Sequence, residues 1–206
     1  MGSKGLLIVI SGPSGTGKGT VCRKLLKECK DLHLSVSVTT RQPRPGEIDG
    51  KSYFFVDKEK FMEMKERNQF LEYAEVYGNY YGTPKEYVLN MLNSGRDVLL
   101  EIDIQGALQV KETFRDGVFI FVVPPSMEEL KNRIIKRGSE TQETFKTRFN
   151  SAFNELEYCV QYNYVVINDS VVKACEKIKA IITAERCKVR RNMDLFAALR
   201  GGMQKT

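Results

Sequence analysis

Residues that could do chemistry cluster first at Gly12-Pro13-Ser14-Gly15-Thr16-Gly17-Lys18-Gly19-Thr20, directly after an apolar run and at the head of a helical pattern. Glycines permit the tight turn and let backbone N–H groups approach phosphate oxygens, and a helix N-terminus adds a favourable partial charge. In such a loop Lys18 reaches the β- and γ-phosphates of a nucleoside triphosphate. One position departs from the usual pattern, because Gly19 stands where a Ser or Thr hydroxyl would meet Mg²⁺, and Thr20 follows it. Thr20 is therefore expected on an α- or β-phosphate. Mg²⁺ is expected to be held by the triphosphate, by water and by a carboxylate elsewhere, with no direct side-chain ligand. Asp103 ends an apolar strand pattern and suits that role through water; it equally suits capping the helix that follows, and the two roles are compatible.

A second set of anion-binding side chains lies outside the loop. Arg41 and Arg44 sit three residues apart beside Pro43 and Pro45, and Arg133, Arg137 and Arg148 bracket a stretch rich in Arg, Gly, Ser and Thr. Guanidinium forks bind phosphate bidentately. One group suits an acceptor phosphate, and the other suits closing over the triphosphate. Asp103 and Gly106 also fit the Asp-x-x-Gly pattern of GTPase switches, but the guanine-reading tetrapeptide Asn-Lys-x-Asp is absent from the sequence. Two anion sites in one chain point to phosphoryl transfer onto a phosphate.

These residues need elements to position them. Short apolar runs at 6–10, 97–103, 118–123 and 164–167 read as buried strands. Helical patterns at 20–29, 126–137, 144–158 and 170–189 alternate with them, the second opened by Ser126 and Glu129 in capping-box spacing. Strands followed by helices imply an α/β fold with a parallel sheet covered on both faces. Between residues 34 and 93 the pattern becomes alternating and aromatic-rich, as in a small α+β insertion, so the core is read as 1–33 and 94–206. A lid is read at about 137–147, and the tail from Asp194 onward as frayed. The 206 residues suffice for one domain with a sizeable core.

The net charge of +6 favours anionic partners without choosing among them. The five cysteines form no C-x-x-C, and the single histidine, His33, has no metal-ligand neighbours and reads as a helix-end or loop residue. A His-based hydrolase is thereby disfavoured. The early apolar run is too short for a signal or a membrane span, and Leu6 occupies the position where a myristoylation motif needs Ser or Thr. A cytoplasmic location with no membrane partner is expected. Basic residues are scattered or committed to the two phosphate sites, so no nucleic-acid partner is expected either.

Several stretches together resemble guanylate kinases over roughly residues 5–190: the loop from Ser11 to Thr20, Ser37 to Glu47, Gly50 to Phe55, Gly78 to Thr83, Glu101 to Gly106, and Pro124 to Ser126. The resemblance implies a P-loop kinase core with a GMP-binding insertion and a lid, and transfer of the γ-phosphate of ATP to GMP or dGMP. It implies that Ser37, Arg41, Arg44, Tyr53 and Tyr81 hold the GMP phosphate and its surroundings, with Glu101 and Asp103 in the same substrate set. Glu72 and Thr83 would read guanine. Lys18, Arg41, Arg137, Arg148 and Asp103 would form the catalytic set, and Asn168 with Asp169 the edge of the adenine pocket. Chemistry agrees: guanine offers N1–H and N2–H₂ to a carboxylate and accepts at O6 from a hydroxyl. Gly19 falls within the family's own variation. A non-catalytic interaction module on the same fold is the alternative, against which the intact Lys18, Arg41, Arg44 and Arg137 speak.

Overall fold

The computed structural model describes residues 4–136 and 142–203, apart from the side chains of 136, 142–148 and 201–203. β1 (Leu7–Ser11) runs into the glycine loop and α1 (Lys18–Glu28), and β2 (Leu32–Leu34) follows. Next come β3 (Val38–Thr39), β4 (Phe54–Phe55), α2 (Lys58–Glu66), β5 (Phe70–Val76), β6 (Asn79–Pro84) and α3 (Lys85–Asn93). β7 (Asp97–Glu101), α4 (Ile104–Thr113), β8 (Val118–Val123), α5 (Met127–Lys136) and α6 (Gln142–Glu155) lead to a 3₁₀ turn, Leu156–Gln161. The chain then forms β9 (Tyr164–Ile167), α7 (Val171–Arg186) and α8 (Met193–Met203).

Five strands make a parallel sheet in the order β2-β7-β1-β8-β9. Its three central strands carry unbroken apolar runs, 7–10, 98–100 and 118–123, because both faces are covered there, whereas the edge strand β9 leaves Val165 and Ile167 exposed. Ile8, Ile10, Leu99, Ile120 and Val122 turn to one face and pack with residues of α1 and α7, such as Leu25 and Ile178. Leu7, Val9, Val98, Leu100 and Phe119 turn to the other, with Val88 and Leu92 of α3 and Ala107 and Val110 of α4. The two-residue alternation of side chains divides one strand between two cores. Each fully buried aliphatic side chain contributes roughly 1.5–3 kcal/mol.

A second sheet has the strand order β4-β3-β6-β5. Its own small core is Val38, Phe61 and Phe70, with the Phe61 and Phe70 rings stacked at 4.6 Å between centroids. β5 and β6 meet in a two-residue hairpin at Tyr77 and Gly78, both with positive φ (50° and 75°), which matches the twist of the paired strands.

Several elements differ from the sequence expectations. His33 lies within β2, an edge strand of the parallel sheet, rather than at a helix end. α2 was hidden because it buries only Phe61; Asp57 caps it, accepting from the Lys60 amide at 2.7 Å. α3 belongs to the stretch read as insertion, yet its Val88 and Leu92 join the core of the parallel sheet. The tail forms α8 instead of fraying, with Asp194 in its first turn and Arg200 in its last complementing the helix dipole. The Ser126 cap is present, its hydroxyl accepting from the Glu129 amide at 3.1 Å.

Candidate active site

The glycine loop leaves β1 with Gly12 at φ 139°, where a Cβ would fall 2.3 Å from the Val122 carbonyl oxygen of β8. Gly17, at φ 88°, is the N-cap of α1, and no side chain among the described residues caps it. The first amides of α1 are thus left for an anion. Lys18 folds back over the loop. Its Nζ donates to the carbonyls of Gly12 and of Pro13, the latter at 3.0 Å. Burial lowers the pKa of Lys18, against the opposing pull of Glu101, Glu155 and Asp103. A Cβ on Gly19 would lie 3.1 Å from Glu101 Oε1, so the Glu101 carboxylate borders the space a side chain at that position would need. Thr20 Oγ1 accepts from Arg23 at 3.3 Å.

The loop is braced from behind. Asn168 Nδ2 donates to the Thr16 carbonyl at 2.8 Å, and Thr16 Oγ1 donates to the Pro13 carbonyl at 2.9 Å. Arg133 donates to the carbonyls of Thr16 (3.3 Å) and Asn168 (3.0 Å), and Glu129 holds its Nε at 2.8 Å.

Beyond Lys18 the cleft opens into a cavity of about 570 Å³ between the two sheets. Gly12, Ser14 and Lys18 line one end. Glu101 and Asp103 lie along its floor, Glu72 and Tyr81 face it from β5 and β6, and Ser37, Arg44 and Tyr53 line it from the segments next to β3 and β4. Asp103 also caps α4, accepting from the Gly106 amide at 3.1 Å. Glu72 is buried, with one carboxylate oxygen receiving the Thr83 hydroxyl at 2.5 Å and the other meeting no partner among the described residues. Burial pushes its pKa up to about 8, with Asp103 adding to the rise and the Thr83 hydrogen bond opposing it. Tyr53 is likewise pushed up to about 12 by burial and by Glu101.

A buried carboxyl of this kind has a stability signature. Below its ordinary value of 4.5 it is neutral folded and unfolded alike, and it costs nothing. Between 4.5 and about 8 only the unfolded chain ionises, so folded stability falls as pH rises and levels off above about 8. Thermal unfolding of the parent and of Glu72→Gln between pH 5 and 8 should show a steeper loss in the parent. Parallel curves would refute the raised pKa.

The family model described as guanylate kinase matches residues 4–185. The chain belongs to the guanylate kinase family. It is 64% identical over 197 residues to the guanylate kinase of Caldanaerobacter subterraneus subsp. tengcongensis, with 96% of each chain covered. It is 62% identical over 200 residues to that of Clostridium tetani, covering 97% of this chain and 96% of the other. The crystal structure of guanylate kinase from Anaplasma phagocytophilum superposes with a TM-score of 0.78 at 38% identity, covering 92% of this chain and 90% of that one.

Not every residue expected of a guanylate kinase site lines the cavity. Arg41 stands behind Tyr53, its guanidinium carbon 5.5 Å from the ring centroid, and Glu47 grips it through both carboxylate oxygens at 2.9 Å. Thr83 reaches the cavity through Glu72. Asn168 braces the loop, while Asp169 pairs with Lys173 and the Ser170 amide. Arg137 lies outside the described residues, and Arg148 falls where only the backbone of α6 is described. The sequence reading missed Ser151, Asn154, Glu155 and Tyr158, which line the cavity from α6 and the turn after it. Their spacing was the available signal, since these polar residues recur at helical intervals along one face.

Proposed function

We propose that this chain transfers the γ-phosphoryl group of ATP to GMP, giving ADP and GDP. The observation that carries the reading is Glu72, a buried carboxylate with one oxygen unpartnered among the described residues, facing the same cavity as Lys18. It is a place for two N–H donors on a flat ring, and guanine N1–H and N2–H₂ are such a pair. The Thr83 hydroxyl, now donating to Glu72, is the group that would turn to guanine O6. Adenine would leave the buried carboxylate unpaired, which hydrogen-bonded sites penalise by ~10⁴-fold or more.

Ser37, Arg44, Tyr53 and Tyr81 would hold the acceptor phosphate, with Arg41 joining once Glu47 releases it. The loop amides, Lys18 and Thr20 would hold the ATP phosphates, with Asn168 at the adenine side. An acceptor oxygen on GMP attacks the γ-phosphorus in line, and the bond to the bridging oxygen breaks, releasing ADP. That oxygen is already anionic, so no general base is needed, and catalysis rests on positioning and charge neutralisation. Arg137 and Arg148 would supply further positive charge at the transferring group.

The donor set fits Mg²⁺, a hard cation that keeps several waters. Asp103 and Glu101 offer carboxylate oxygens beside Lys18, and no hydroxyl stands at Gly19. Asp103 would hold the ion through water, and the ion would neutralise charge on the β- and γ-phosphates. A coupled assay with ATP and GMP, dGMP, AMP, UMP and CMP in turn tests the proposal. GMP and dGMP should be the acceptors used; equal use of AMP, or no turnover with any, would refute it.

A further inference from the structure

β5 ends the second sheet, so one side of its backbone has no neighbouring strand among the described residues. Tyr73 pairs with Gly82 of β6, and its N–H and C=O point the other way, toward α4. Both are taken by one side chain. The Tyr73 amide donates to Gln109 Oε1 at 3.2 Å, and Gln109 Nε2 donates to the Tyr73 carbonyl at 2.8 Å. A carboxamide carries the same donor and acceptor as a peptide group, and here it serves as one residue of a missing strand.

The neighbours of this contact give it meaning. Gly106 lies three residues before Gln109, on the same face of α4. A Cβ there would fall 2.2 Å from Glu72 Oε2, so the helix meets the carboxylate at its backbone. The pairing of β5 with β6 shifts register between Phe70 and Glu72, immediately before the clamped residue. The β6 ladder alone therefore leaves Glu72 beside an irregularity, and the amide at Tyr73 is the next fixed point. α4 is also the helix that Asp103 caps, so one rigid element carries the carboxylate at the cleft floor and the clamp on the base-reading strand.

We infer that Gln109 is a positioning residue for acceptor specificity, holding β5 against α4 so that the Glu72 carboxylate faces guanine N1–H and N2–H₂. The inference rests on the proposed use of GMP. It makes no demand on the ATP site, which stands on the other arm of the cleft.

The test is Gln109→Met, which keeps the length of the stem and removes both hydrogen bonds. Steady-state kinetics would be run with ATP and either GMP or IMP, which lacks the 2-amino group. Losing two partly exposed hydrogen bonds should raise KM for GMP about tenfold, with KM for ATP within about twofold. The preference for GMP over IMP should shrink by a similar factor. Unchanged GMP parameters, or equal losses toward GMP, IMP and ATP, would overturn the inference. Amide exchange at Tyr73 gives a readout that needs no substrate. It should accelerate in the variant while exchange in β1 and β8 stays as in the parent; unaltered protection at Tyr73 would also overturn the inference. A parent enzyme that ignores GMP would instead defeat the functional proposal, and the exchange experiment would still decide whether the clamp exists.

Discussion

Replacing Lys18 by Met lowers kcat/KM by about 10³-fold or more while the protein unfolds at nearly the parent temperature. Two unit charges about 4 Å apart at an effective dielectric near 20 interact by about 4 kcal/mol, which is close to three decades in rate. The Lys18 ammonium is tied to the Gly12 and Pro13 carbonyls and faces the cavity, so it is held where phosphate charge develops. The substitution also removes a cation whose pKa burial already lowers, which offsets the two lost hydrogen bonds. A coupled assay alongside thermal unfolding checks both halves. Activity within tenfold of the parent would remove Lys18 from the mechanism.

The second large effect falls on the acceptor. Glu72→Gln should lower kcat/KM for GMP by about 10²–10³-fold, because two guanine N–H donors would favour the ionised form of Glu72 on binding, and losing one partner of a buried hydrogen-bonded charge costs roughly 2–5 kcal/mol. KM for ATP should stay within about twofold, since uniform binding of the donor is untouched. The amide retains one acceptor for the Thr83 hydroxyl but presents N–H groups where guanine also presents them. Equal losses toward ATP and GMP would mean that Glu72 shapes the fold without reading the base.

The glycine loop was legible because its spacing has one physical use after a strand and before a helix. The parallel core was legible for a related reason: strands buried on both faces carry no polar interruptions. Glu72 was different. It is buried against Gly106 of α4 and the Thr83 hydroxyl of β6, contacts that only the folded chain brings together. Only the resemblance to a family singled it out. Arg41 shows the limit from another side, since its type and spacing suggest an open phosphate site, while Glu47, six residues on, occupies the guanidinium. The cavity-facing side of α6 is harder to read, because Ser151, Asn154 and Glu155 suit a solvated helix face as well as a cleft wall.

The grip of Glu47 on Arg41 has a kinetic consequence under the proposed reaction. Glu47 is a tethered competitor for the same guanidinium, present at the high effective concentration that a short connection imposes. Its carboxylate is held below the usual range, burial opposing this and the Arg44 amide and Arg41 guanidinium prevailing. A weak monoanion drifting into the empty cleft gains little by displacing it. A phosphate dianion that also engages Arg44 and the tyrosines gains enough. When the product leaves, the carboxylate recaptures the arginine, so the same pair that raises the threshold for entry hastens departure.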